Sequence, residues 1–348
     1  MKRAKTLFRL ISAGMLLLTL SGCSHSEAPN AEGTTQIMLA AYTVPKEAYQ
    51  KEIIPAFQKQ WKEKTGQTVT FKESYVGSGA QARAIVNGLE ADVAALSLEG
   101  DIETIRKAGL ITHNWKDRPY AGMITRSVVA LGVKKGNPLG IREWQDLGKP
   151  GVTVLYPSPR TSGGAMWDIN AIYGAGVKTA EIETGKKNPD KGAELLASIQ
   201  KNVKVMDNSG RESMTTFEKG LGDVVVTYEN ELLLRNMEQP LYDVIYPKAT
   251  VLIENPVALV DKNVEKHGNR AAVEAFVTFL QSQEAQRAFA KYGFRPVVPE
   301  VVAETKDKFP QPEWLFDIQY LGGWDTVFEQ LYGPKGVWTE IVEGKKGA

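Results

Sequence analysis

One cysteine and three histidines in 348 residues are too few for most metal centres, for thiol chemistry or for a disulfide scaffold. Charge of one sign is lacking as well: 42 Lys and Arg stand against 41 Asp and Glu, a formal +1, so the basic footprint of a nucleic-acid binder is missing. The apolar run from Leu10 to Leu20 is shorter than the roughly 20 residues a membrane-spanning helix needs. What remains is ordinary globular composition, 43% hydrophobic and 24% charged. It excludes a disordered or collagen-like chain and allows two domains, each with its own core.

Lys2, Arg3, Lys5 and Arg9 precede the short apolar run, which makes residues 1–22 a signal peptide. It ends in Leu20-Ser21-Gly22-Cys23, the pattern of a lipobox, in which small residues admit the peptidase and the thiol takes a diacylglycerol group. The single cysteine of the chain stands at this position, so Cys23 is the expected lipidation site. Residues 23–35 are mostly small and polar without periodicity and read as a flexible tether. Cleavage removes four of the 42 basic residues, leaving 38 against 41 acidic ones, or about −3. A body with that charge has no long-range pull on an anion, so any affinity for one must be local.

Along the mature chain, β-type runs alternate with helical patterns. The strand candidates are Gln36–Ala40, Thr68–Glu73, Val93–Ser97, Ser127–Val133, Val152–Tyr156, Val203–Met206 and Asp223–Thr227, which implies α/β layers on a mainly parallel sheet. Tyr49, Ile53, Phe57 and Trp61 lie four apart on one helical face, with Pro55 expected to kink or split that helix. Lys191–Asn202 and Asn269–Leu280 repeat the helical pattern. No Pro/Gly/Ser linker divides the body, so two interleaved lobes are expected, with crossings at Gly122–Val128 and Leu252–Val260. The expected division is 36–123 plus 256–306 for one lobe and 124–255 plus 307–345 for the other.

A junction of strand, Gly/Ser turn and helix recurs three times. Thr68–Glu73 leads through Ser74-Tyr75-Val76-Gly77-Ser78-Gly79 to a helix over Ala80–Leu89; Val152–Tyr156 leads through Thr161-Ser162-Gly163-Gly164 to one starting near Ala165; Val203–Met206 leads through Asn208-Ser209-Gly210-Arg211 to one over Ser213–Lys219. The first turn of a helix has N–H groups without intrahelical partners and about half a positive charge, which favours an anion there. Glycine lets the anion approach the backbone, and serine adds a hydroxyl donor. One such junction is an ordinary cap; three together read as a cradle for a small oxyanion.

Enzyme readings find no support in the same residues. Gly77-Ser78-Gly79 lacks the spacing of a nucleophile elbow. His25 falls in the tether, and His113 and His267 are expected on solvated surface. Gly174-Ala175-Gly176-Val177-Lys178-Thr179 is only superficially a phosphate loop, because its glycines and lysine are misplaced. No metal motif appears, and no cofactor is expected.

Trp61–Gly66 (WKEKTG), Gly77–Gly79 with Gln81-Ala82-Arg83, Gly88–Val93 (GLEADV), Lys135–Pro138 (KGNP), Ser162–Trp167 (SGGAMW), Thr216-Phe217, Gly222–Val224 with Glu229-Asn230-Glu231, and Val260–Lys262 occur in this order. In that combination the chain resembles, from about Tyr42 to Pro296, the sulfate- and thiosulfate-binding proteins of bacterial ABC importers. The resemblance implies a type II periplasmic binding fold, two α/β lobes joined by hinge strands and closing on a dehydrated tetrahedral dianion held by uncharged donors. Carried over by motif, the donors are the amides of Thr43, Ser78, Gly163, Gly164 and Gly210, the hydroxyl of Ser162 and the side chain of Tyr228. Thr43 and Gly210 stand where the family has Asp and Ala, which an amide donor tolerates. Tyr228 replaces an indole donor with a phenol that can also accept. Val76 and Ala80 replace a Gly and a Lys beside the first junction.

The expected protein is therefore a monomeric, extracytoplasmic lipoprotein that binds sulfate or thiosulfate and serves an ABC permease. A site of donors alone disfavours hydrogen phosphate, whose proton needs an acceptor; a carboxylate in the cleft, with Glu73, Asp207 and Glu212 as candidates, would favour phosphate. Molybdate or tungstate would need a larger cavity. Ferric-ion capture would need convergent tyrosines such as Tyr42, Tyr75 and Tyr228 together with carboxylates. A secreted phosphate-ester hydrolase would need a nucleophile with a base, and none is apparent.

Overall fold

The computed structural model describes residues 34–237 and 239–343. The signal segment, Cys23 and all but the end of the tether lie outside the described residues. Among the described residues no helix is long and apolar enough to cross a membrane.

Strand β1 (Thr34–Tyr42) pairs in parallel with β2 (Thr68–Val76) on one side and β3 (Val93–Ala95) on the other. Its side chains alternate: Leu39 and Ala41 enter one apolar cluster and Ala40 another, as expected for a strand covered on both faces. Each fully buried Ile or Leu here contributes roughly 1.5–3 kcal/mol. The remaining strands are β4 (Met123–Lys134), β5 (Val154–Leu155), β6 (Val203–Val205), β7 (Val224–Tyr228), β8 (Tyr242–Ile245), β9 (Ala249–Leu259) and β10 (Trp314–Phe316). The sheet runs β2-β1-β3-β9-β4-β7-β5-β6, with β8 on β4 and β10 on β9. Every strand candidate overlaps an observed strand, and the Leu252–Val260 run lies largely in β9; β8 and β10 had no counterpart in the sequence reading.

The sheet is parallel in most of its pairings, as expected, but mixed at its centre. Pairing is parallel at β1–β2, β1–β3, β5–β6, β5–β7 and β9–β10, but antiparallel wherever β4 takes part and at β3–β9. β4 and β9 pair with each other through Met123–Val128 and Leu252–Pro256. β9 then continues onto β3, and β4 onto β7 and β8. A chain that crosses between two halves of a sheet and later returns must make the second crossing in the opposite direction.

Pro55 does not split its helix. α1 (Lys46–Ala48) passes through a π turn, Tyr49–Ile53, into α2 (Ile54–Thr65), and the backbone stays helical at Ile53 and Ile54. The wider turn absorbs the missing proline N–H just where the i→i−4 ladder would need it. Tyr49, Ile53 and Phe57 are buried, Tyr49 edge-on to Phe289 at 5.7 Å and Phe57 to Phe276 at 5.1 Å.

The other main helices are α3 (Ser78–Val86), α4 (Glu99–Lys107), α5 (Gly163–Thr184), α6 (Pro189–Gln200), α7 (Gly210–Glu218), α8 (Glu229–Asn236), α9 (Asp261–His267), α10 (Arg270–Leu280) and α11 (Gln283–Lys291). α3, α5 and α7 start two or three residues before their apolar patterns do, so the Gly and Ser residues of the junctions form the first helical turns. Gly174 and Gly176 lie inside α5. A Cβ on Gly176 would meet the Lys191 carbonyl at 2.5 Å, so this glycine permits close packing of α5 on α6.

Candidate functional site

The three junctions meet at Gly77. A Cβ there would lie 2.6 Å from the Thr161 carbonyl oxygen and 2.9 Å from that of Asn208, so one glycine is held between the other two turns. The Ala80 N–H donates to the Thr161 carbonyl at 3.3 Å, and the Thr161 hydroxyl donates to the Asn208 carbonyl at 2.9 Å. Gly77 is the N-cap of α3, Ser162 of α5 and Ser209 of α7. The amides of Ser78, Gly163, Gly164 and Gly210 therefore occupy first-turn positions, where N–H groups have no intrahelical acceptor. The Ser162 and Ser209 hydroxyls accept from the Ala165 and Glu212 N–H groups at 3.3 and 3.2 Å, and each keeps its own proton to donate.

Ser97, which lies outside the three junctions, joins these parts. Its N–H donates to Ser78 Oγ at 2.9 Å, and its hydroxyl shares a 2.6 Å hydrogen bond with the Tyr228 hydroxyl. Its carbonyl accepts from Trp167 Nε1 at 2.9 Å and Asn255 Nδ2 at 2.8 Å. A Cβ on Gly163 would stand 2.7 Å from Ser97 Oγ, and one on Gly164 would stand 2.9 Å from the Tyr228 ring. Tyr228, at the end of β7 and only 1% exposed, thus lies on the first turn of α5. Burial pushes its phenol well above the ordinary range, so it stays protonated.

The turn after β1 reaches the third junction. Val44, next to the half-buried Thr43, is 4.0 Å from where a Gly210 Cβ would be. Its carbonyl accepts from Arg211 Nη2 at 3.2 Å. The Arg211 guanidinium is occupied elsewhere, at 2.5 and 2.8 Å from the Glu47 carboxylate and 3.0 Å from Glu231. Of the carboxylates considered from sequence, Glu73 accepts from the Tyr75 hydroxyl, Asp207 from the hydroxyls of Ser213 and Thr216, and Glu212 from the Asn208 N–H. The carboxylate beside the first turn of α3 is instead Asp101, which accepts from the Ser78 hydroxyl at 2.5 Å. Burial pushes its pKa up to about 6 against the pull of that bond and of Arg83.

Residues 37–295 match the family of bacterial extracellular solute-binding proteins. A sulfate-binding protein of Synechococcus elongatus is 42% identical over 95% of this chain and 94% of its own length. The chain belongs to the bacterial extracellular solute-binding proteins. A thiosulfate-binding protein of Pseudomonas aeruginosa is 36% identical over 94% of this chain and 99% of the relative. The solved structure of the sulfate-binding protein SubI from Mycobacterium tuberculosis, 36% identical, superposes with a TM-score of 0.78 over 85% of this chain and 99% of that one. The architecture is accordingly the two-lobe type II fold. As a solute-binding protein of this family the chain acts outside the cytoplasm and is not an enzyme.

His113 and His267 of this solute-binding protein reach the surface as expected, and each is also paired with a buried carboxylate. His113 Nδ1 lies 2.6 Å from the buried Asp261 carboxylate, and His267 Nδ1 lies 2.7 Å from buried Asp92. Both aspartates also cap backbone: Asp92 accepts from the Met38 N–H and Asp261 from the Thr112 N–H. The histidines therefore tie α9 and the Leu110–Trp115 segment to the sheet. Among the described residues no group of three His, Cys, Asp or Glu side chains could hold a metal ion.

Proposed function

We propose that this protein captures sulfate or thiosulfate and delivers it to an ABC permease, anchored to a bacterial membrane through a lipid on Cys23. The observation that carries the reading is the convergence of three helix N-termini on Gly77, whose first-turn amides have no acceptor within their own helices. Two relatives whose names specify sulfate and thiosulfate support it. The donors are the amides of Thr43, Ser78, Gly163, Gly164 and Gly210 and the hydroxyls of Ser162 and Tyr228. The lobes are divided at β4 and β9, 36–123 plus 256–306 against 124–255 plus 307–345, and the protein works as a monomer.

Selectivity follows from the donor set. A fully ionised tetrahedral anion satisfies every N–H and O–H, whereas hydrogen phosphate brings a proton that needs an acceptor, and leaving it unpaired costs on the order of 1–3 kcal/mol. Asp101, the carboxylate that contacts the first turn of α3, already accepts from Ser78 through its Oδ2. Calorimetric titration with sulfate, thiosulfate, phosphate and molybdate tests the reading: heat with the first two and none with phosphate is the expected result, and tight phosphate binding defeats it. Cys23→Ala is expected to keep the titration unchanged while abolishing incorporation of radiolabelled fatty acid and membrane retention.

A further inference from the structure

Above the first turns of α3 and α5 lies a cavity of about 270 Å³ whose lining includes Gly79, Gly163, Asp101, Arg83, Arg160 and Trp338. Gly79 and Gly163 belong to the junctions, so this space adjoins the donors directly. Arg83 is exposed and sits one turn along α3 from Gly79, and its Nη1 lies 3.5 Å from where a Gly79 Cβ would be. The guanidinium thus folds back over the start of its own helix. Arg160 comes from the other half of the fold, just before the second junction. It is ion-paired with Glu343 and stacked over the Trp338 ring at 5.8 Å from the centroid.

We infer that Arg83 and Arg160 form an encounter site that draws an inorganic dianion from solution to the neutral donors beneath. The inference rests on the sulfate reading and answers a difficulty in it. Helix-terminal dipoles act within about a turn, and the mature chain, at about −3, does not attract an anion at long range. The guanidinium of Arg83, with that of Arg160 partly offset by Glu343, acts at a concave opening over roughly a Debye length, about 8 Å at physiological salt, and raises the local anion concentration there. Asp101 in the same cavity keeps the anion from resting between them. Burial holds its pKa near 6, so at neutral pH most of the population carries a repelling charge. Attraction at the rim with repulsion beside the donors makes the cavity a passage rather than a store.

Stopped-flow mixing of the full chain with sodium sulfate, read by tryptophan fluorescence, tests this. In Arg83→Gln/Arg160→Gln the association rate constant at low salt is expected to fall about tenfold, with the dissociation rate unchanged and the salt dependence flattened. The corresponding double Lys variant is expected to keep most of the rate. An unchanged association rate, or a loss confined to dissociation, overturns the inference. A parent protein that gives no calorimetric signal with sulfate overturns the functional reading along with it, whereas a parent that binds while the variants associate normally overturns the encounter site alone.

Discussion

Glu229 and Glu231, fully buried at the start of α8, are each met by guanidinium groups, whereas Tyr228, one residue earlier at the end of β7, meets the Ser97 hydroxyl and the first turn of α5. Arg295 reaches the Glu229 carboxylate at 2.7 and 2.9 Å, and Arg211 and Arg235 reach Glu231 at 3.0 and 2.7 Å. The difference follows from permanence. A carboxylate in the chain never leaves, so its cation is never stranded. An exchangeable anion does leave, and a cation buried for it would then stand uncompensated at a cost of several kcal/mol. First-turn amides tolerate both states because water can replace the anion on them. On this reading the cradle uses neutral donors because it must also be stable empty.

The comparison breaks most visibly at the permanent pair. Glu229→Ala strands Arg295, and its unfolding free energy in a urea titration is expected to fall by about 3–5 kcal/mol. Replacing both partners with leucine should cost clearly less than either single change. Burial pushes the Glu229 carboxyl up in spite of Arg295, which indicates how little net stabilisation the intact pair supplies. In the cradle, Ser162→Ala should weaken sulfate by about 1.5–3 kcal/mol, the range for a hydrogen bond to a charged partner, with stability nearly unchanged. An equal dissociation constant would reduce Ser162 to a helix cap. Tyr228→Phe should lose about 1 kcal/mol of sulfate affinity, because Ser97 can redirect its own proton. Tyr228→Trp should restore the donor; if both variants bind as the parent does but melt lower, Tyr228 only packs.

The smallest effect concerns His267. Burial lowers its pKa, but the bonds and charges of Asp92 and Glu90 outweigh that and raise it above the ordinary 6.5. The stabilisation is therefore complete below the unfolded value and disappears as pH rises through the folded one. The deficit of His267→Gln should be full near about pH 5.5 and absent near about pH 9. A deficit that grows with pH would mean the neutral ring is the stabilising form.

What could be read from the chain was whatever leaves a periodic or compositional trace. β1 to β7 carry alternating or continuous apolar runs, and the three Gly/Ser turns stand out by composition, with glycine at Gly77, Gly163 and Gly164 marking positions where a Cβ has no room. The early starts of α3, α5 and α7 were not legible, since Ser78, Gly163 and Gly210 add nothing to an apolar period. Ser97 leaves no such trace because its turn, Leu96-Ser97-Leu98, contains no glycine. Its position at the end of a strand candidate was the available signal. Arg295 and Glu229 lie 66 residues apart and join only through the fold, so spacing could not pair them. The parallel expectation failed at β4 and β9 because strand direction is set by which half of the fold the chain enters next, and no local pattern encodes that.

The meeting at Gly77 makes the site behave as a logical conjunction. Its three inputs come from chain segments around residues 77, 161 and 208, which share no local contact until the fold is complete. A single helix start offers two or three amides and is no better than countless others on any protein surface. On the proposed reading, only their simultaneous presence turns weak local polarity into a receptor. A chain cut or misfolded in any one of the three is therefore silent rather than partly active, and does not deplete the solute that intact copies deliver.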